Sequence, residues 1–175
     1  LYEGKRKALK SLPLAVILTL SATGSEMSDS SVITNENGWL KRGYNSDLCR
    51  PVFAIMNPDF TKTLPDYQTA CGCTDILMHT LERYFTNTKN VETTDRLCEA
   101  LLKAVITETP KVMANLQDYD ARANIMWAGM MGHNNSCGVG RSQDWSSHNI
   151  EHELSALYDC AHGAGLAVVM PAVMT

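Results

Sequence analysis

The chain has 175 residues, 45% hydrophobic and 19% charged, enough for one domain with a core or for parts of two, which excludes disorder and fibrous repeats. Its net charge is −4, and its 15 Lys and Arg are scattered along the sequence, so a nucleic-acid partner is not expected. The longest apolar run, Leu12 to Leu20, is interrupted by Pro13 and Thr19 and reaches about half of what a bilayer-spanning helix needs, so no membrane span is predicted.

The opening LYEGKRKALK is basic and precedes that apolar run, but no small-residue cleavage site follows, so a strand rather than a signal peptide is expected. PLAVILTL reads as a buried strand, SVIT as a second and PVFAIMNP as a third, separated by the turn-rich stretches ATGSEMSDS and NENG. After about Pro65 the pattern changes. From Asp66 to Phe85 the apolar residues Tyr67, Cys71, Leu77, Leu81 and Tyr84 recur at near-helical intervals. Further helices are predicted over 93–108, 119–132 and 147–158, with a last one opening near Gly163, and a loop rich in Asn, Ser and Gly between His133 and Trp145. The expected organisation is an α/β segment over residues 1–64 and a helical segment over 65–175.

The six cysteines, at positions 49, 71, 73, 98, 137 and 160, contain no repeated C-x-x-C pair and point to a reducing cytoplasm. Cys71 and Cys73 diverge by about 200° on a helix and cannot grip one ion together, so core packing is expected for at least one. The chain begins without methionine and stops just after LAVVMPAVM with no capping residue, which reads as a piece of something longer.

Five histidines are present, and four fall in patterned positions. Asp75 and His79 stand four apart in DILMH, on one helix face, where both can reach a single ion. Taken alone, such a pair is more often a surface contact. His148 and His152 form a second pair in HNIEH. His162 then opens HGAGLAV, at a turn from which it can face the preceding helix. Three imidazoles and a carboxylate, with no thiolate, suit Fe(II), Zn(II), Co(II) or Ni(II) better than Ca(II) or Mg(II). One carboxylate against a divalent ion leaves the site at about +1, which favours a bound alkoxide or hydroxide. His133 falls outside this pattern and is expected simply to end a helix.

The segments LTLSATGSEMSDSSVIT, PVFAIMNPDFTKTLP, DILMHTLERY and DWSSHNIEHELSALYDCAHGAGLAVVMP occur in an order and at a spacing that resemble the iron-containing (group III) alcohol dehydrogenases, in particular the branch of butanol dehydrogenases and NADPH-dependent aldehyde reductases. The resemblance implies the dehydroquinate synthase-like fold, truncated at both ends. Residues 1–64 would be the C-terminal part of an α/β nucleotide-binding domain, and 65–175 the N-terminal part of an all-helical metal-binding domain. It implies Asp75, His79, His148 and His162 as ligands of a divalent metal, Fe2+ or Zn2+, and His152 as a proton-transfer residue rather than a ligand. It also implies NAD(P) as cofactor, touched by Thr19, Thr23 and Lys41, an alcohol or aldehyde substrate, and a homodimer when full length. No G-x-G-x-x-G loop occurs in the chain, and the family's pyrophosphate loop would lie upstream of Leu1.

Glu151 makes the segment read H-x-x-E-H, the inverted zinc-protease motif, in which the glutamate is a general base. That rival requires a downstream glutamate ligand, and none follows Glu153. A non-catalytic helical module that keeps a structural metal is the third reading. On the dehydrogenase reading, Glu151 lies about 100° around the helix from His152, so it is expected to face away from the metal and to be dispensable.

Overall fold

A computed structural model describes all residues, 1–175. Two small sheets come first. Strand β1 (Ala15–Ile17) pairs in parallel with β4 (Phe53–Ile55), Val16 opposite Ala54. Strands β2 (Ser30–Asn35) and β3 (Leu40–Asn45) form an antiparallel hairpin in which Ser30 faces Asn45 and Asn35 faces Leu40. The turn between them places Gly38 and Trp39 at positive φ, 95° and 52°. The NENG turn matches the sequence reading. Strand β3 does not follow from periodicity, because Leu40-Lys41-Arg42-Gly43 shows no two-residue apolar alternation; its partner β2 imposes the extended backbone. The expected buried strand PLAVILTL is also corrected. Only three residues are extended and Ile17 is 59% exposed, because no helix covers either face of this two-stranded pair.

Five helices follow: α1 (Asp66–Tyr84), α2 (Glu92–Ala114), α3 (Tyr119–His133), α4 (Ser146–Tyr158) and α5 (His162–Val173). Helix α1 is central. One side, carrying Cys73 and Ile76, packs on Cys98, Leu101, Val105 and Val112 of α2 and on Ala121, Ile125 and Ala128 of α3. Met78 meets Leu166 and Met170 of α5 on another side. Helix α2 runs six residues beyond the expected end, through Pro110. An interior proline costs roughly 3 kcal/mol. Continuing the helix seats Val112 in the core at 1% exposure, a burial worth about 1.5–3 kcal/mol. None of the helices is long and apolar enough to cross a membrane.

The end of α4 determines where the next functional residue points. Helix α4 stops at Asp159, which adopts the left-handed conformation (φ 51°) that a short polar side chain tolerates. The chain then reverses and opens α5 at His162. The first turn of α5 lies hard against α1: a Cβ on Gly163 would stand 2.1 Å from the Cys71 carbonyl oxygen. Only glycine allows this approach, which carries His162 towards the face of α1 that bears Asp75.

Candidate metal centre

Asp75 and His79 project from the same face of α1, as their spacing predicts. The Asp75 Oδ1 atom lies 3.5 Å from His79 Nε2, 3.5 Å from Nε2 of His148 on α4, and 3.6 Å from Nε2 of His162 on α5. Donor atoms of Asp75, His79 and His148 lie within 4.8 Å of one another, and His162 joins them through Asp75 at the more open edge. Asp75 is 1% exposed, His79 4% and His148 6%.

Both Asp75 oxygens and His148 Nε2 are buried with no hydrogen-bond partner. A carboxylate left so deep without a hydrogen-bond partner is costly, and a cation among these atoms would compensate it. Neighbouring donors of a tetrahedral centre with ~2.1 Å bonds stand roughly 3.4 Å apart. The observed 3.5–3.6 Å separations from Asp75 match that edge. The donor set therefore fits a divalent transition ion.

Two glutamates stand behind the histidines. The Glu82 carboxylate, 4% exposed, takes His148 Nδ1 and also accepts the backbone N–H groups of Ser147 (2.6 Å) and His148 (3.2 Å), so that it caps α4 as well. Sequence reading missed Glu82, although it continues the Asp75–His79 face one turn on. Glu151 is fully buried and its Oε2 contacts His162 Nδ1. The expectation that Glu151 faces away is wrong. Its angular offset from His152 points it at α5, and α5 brings His162 across to meet it.

His133 is the last residue of α3, as expected, yet it is not detached from the site. Its ring stacks on that of His79 with centroids 3.8 Å apart, and its Nδ1 lies 3.3 Å from an Arg83 guanidinium nitrogen. Arg83 in turn covers the ring of Trp145 at 4.5 Å and donates to the His79 carbonyl at 2.7 Å.

Burial holds the His79 pKa well below the usual imidazole value, helped by the neighbouring His133, His148 and Arg83 charges. Burial, then Arg83, pushes His133 down to about 3. Burial, then the Lys41 ammonium, brings His152 to about 4. Neutral imidazole is the form that binds metals and accepts protons. His148 behaves differently: burial pulls its pKa down, but the Asp75 and Glu82 carboxylates outweigh it and raise the value to about 9. A metal ion bound at Nε2 would have to displace that proton.

A cavity of about 610 Å³ opens over the centre, lined by Thr23, Lys41, His133, Trp145 and His152 among others. Lys41 Nζ donates to Ser155 Oγ at 2.8 Å and lies 3.8 Å from Glu151 Oε2. The half-buried His152 ring sits 5.4 Å from that of His162 and 6.3 Å from that of His148, outside the group around Asp75. Thr19 is exposed and does not line the cavity, so the structure brings Thr23 and Lys41 to the centre but not Thr19. The two histidines of H-x-x-E-H do not meet at Asp75, and Glu151 is occupied by His162. A second group, Glu151, His152 and His162, shares His162 with the first, and the Lys41 ammonium beside Glu151 opposes another cation there.

Residues 69–175 match the family model described as "Fe-containing alcohol dehydrogenase family, C-terminal", and residues 1–58 match "Iron-containing alcohol dehydrogenase". Similar proteins include NADH-dependent butanol dehydrogenase A of Clostridium acetobutylicum, 45% identical over 94% of this chain and 42% of that protein. NADPH-dependent aldehyde reductase YqhD of Escherichia coli is 38% identical, over 99% of this chain and 45% of its own length. The crystal structure of NADH-dependent butanol dehydrogenase A from Thermotoga maritima superposes with a TM-score of 0.96 at 41% identity, covering 99% of this chain and 44% of that one. The chain thus spans less than half the length of the relatives it matches.

Proposed function

Since this chain belongs to the iron-containing alcohol dehydrogenase family, we propose that it carries the metal centre of an NAD(P)-dependent oxidoreductase acting on a primary alcohol or aldehyde. Asp75, His79, His148 and His162 hold the divalent ion, Fe2+ or Zn2+. The observation that carries this reading is the buried, unpartnered Asp75 carboxylate with three imidazole Nε2 atoms turned towards it. When bound, the metal supplies a Lewis acid for the substrate oxygen, and NAD(P) supplies or accepts the hydride.

The chain's own residues do the rest. The imidazoles of His79, His148 and His162 present their Nε2 atoms to the ion, and the Asp75 carboxylate offsets part of its charge. His152 lines the same cavity without joining that group, and it passes the alcohol proton towards solvent. Thr23 and Lys41, which line the same cavity, offer a hydroxyl and an ammonium to the nucleotide. The contact assigned to Thr19 rests on the family resemblance alone. Residues 1–64 would complete a nucleotide-binding domain and 65–175 a metal-binding domain, in a protein that is a homodimer of the reducing cytoplasm when full length.

The test is metal analysis of the full-length parent together with NAD(P)H-linked reduction of butanal. Asp75→Ala and His79→Ala should each abolish stoichiometric metal and turnover together. Retention of one metal per chain in both variants would refute the assignment. Metal-dependent peptide cleavage without nicotinamide-linked activity would favour the H-x-x-E-H reading instead.

A further inference from the structure

We infer that Glu151 is a positioning residue for the metal: it sets the proton and the ring angle of His162, and it joins that ligand to Lys41 on the β2–β3 hairpin. The inference rests on His162 being a ligand, as proposed above, and adds a residue to which neither the family match nor the relatives' names give a role.

Geometry carries the argument. A neutral imidazole that donates Nδ1–H to a carboxylate keeps its lone pair on Nε2, and the partner raises the basicity of that nitrogen. Glu151 Oε2 meets His162 Nδ1 while His162 Nε2 faces Asp75, so one contact decides which nitrogen is free for the ion. The carboxylate is fully buried and accepts no backbone N–H, which argues against a purely capping role. Its remaining charge partner is Lys41, 3.8 Å away, itself anchored by Ser155 one turn further along α4.

The fold also keeps space for this carboxylate. A Cβ at Gly165 on α5 would stand 2.7 Å from Glu151 Cγ and 2.8 Å from Oε1. A side chain there would collide with the glutamate. Glu82 plays the matching part for His148, but it caps α4 as well, so its removal mixes two effects. Glu151 is the cleaner probe.

The experiment uses the full-length parent loaded with zinc and, separately, with cobalt(II). Wild type, Glu151→Gln, Gly165→Ala and His162→Ala are compared by zinc release to a chelator, by the cobalt d–d absorption band, and by thermal melting of the metal-stripped proteins. Glu151→Gln should weaken zinc binding about 10- to 100-fold and shift the cobalt band, with the metal-free melting temperature little changed. Gly165→Ala should act in the same direction, and it decides the matter should Glu151→Gln fail to fold. Wild-type zinc retention and an unchanged cobalt band in both variants, while His162→Ala loses its metal, would overturn the role of Glu151 and leave the ligand assignment standing. Full metal in His162→Ala would instead bring down the ligand assignment, and this inference with it.

Discussion

The ring of His133, at the C-terminal end of α3, lies flat on the ring of His79, a member of the Asp75 group on α1, with centroids 3.8 Å apart and planes 23° from parallel. The contact makes α3 a wall of the centre. Its effect is mechanical: His79 Nδ1 has no hydrogen-bond partner, so stacking takes the place that a carboxylate fills behind His148 and His162. His133→Ala should therefore leave metal stoichiometry intact while lowering stability by about 1 kcal/mol beyond the lost burial. Thermal melting and metal analysis of the same samples check this. Loss of the metal would show that His133 does more than support its neighbour.

Glu82 has two tasks, and its replacement should show both. Glu82→Gln removes the anionic acceptor of His148 Nδ1 and weakens the cap on the Ser147 and His148 amides. Metal affinity should fall about 10- to 100-fold. The metal-free protein should also lose on the order of 1 kcal/mol, the usual worth of a helix cap. Equal melting temperatures for metal-stripped wild type and variant would remove the capping role.

His152 separates ligation from proton transfer. His152→Ala in the full-length parent should keep the metal near one per chain, while turnover falls about 10²- to 10⁴-fold, the range typical of a lost acid–base group. Partial recovery by added imidazole would support the assignment. Loss of the metal would make His152 a ligand and reopen H-x-x-E-H.

The proposed nucleotide contacts offer a comparison of two threonines. Thr23 lines the 610 Å³ cavity, and Thr19 is exposed outside it. Thr23→Val should raise the KM for NAD(P)H several-fold, as expected for about 1 kcal/mol of lost hydrogen bonding. Thr19→Val should change it little. The reverse order would place the nucleotide elsewhere.

Ile76 tests the core on which the centre is mounted. It is fully buried on α1, between Asp75 and the α2–α3 layer, with Gly129 closely opposed. Ile76→Ala should destabilise by about 2–5 kcal/mol. Denaturant unfolding of the metal-stripped protein measures it.

Local sequence was sufficient where periodicity acts alone. The helices carrying the centre lie within a residue or two of expectation, α1 because its apolar residues Tyr67, Cys71, Leu77, Leu81 and Tyr84 recur at near-helical intervals. Asp75 with His79 was legible for the same reason: four residues on a helix is one face. Spacing singled out His148, His152 and His162, the family resemblance implied their roles, and tertiary packing decided how they meet. That Glu151 turns to His162 depends on the left-handed turn at Asp159 and on the absence of a side chain at Gly165. The pairing of Glu82 with His148 depends on where α4 begins relative to α1. Neither contact has a sequence period, because each joins separate helices whose relative placement is set by the whole core. The same holds for His133 on His79 and for strand β3, whose residues are extended only because β2 pairs with them. Residue types in helical register thus specified what could bind an ion, while packing of α4 and α5 on α1 decided which groups stand behind His148 and His162.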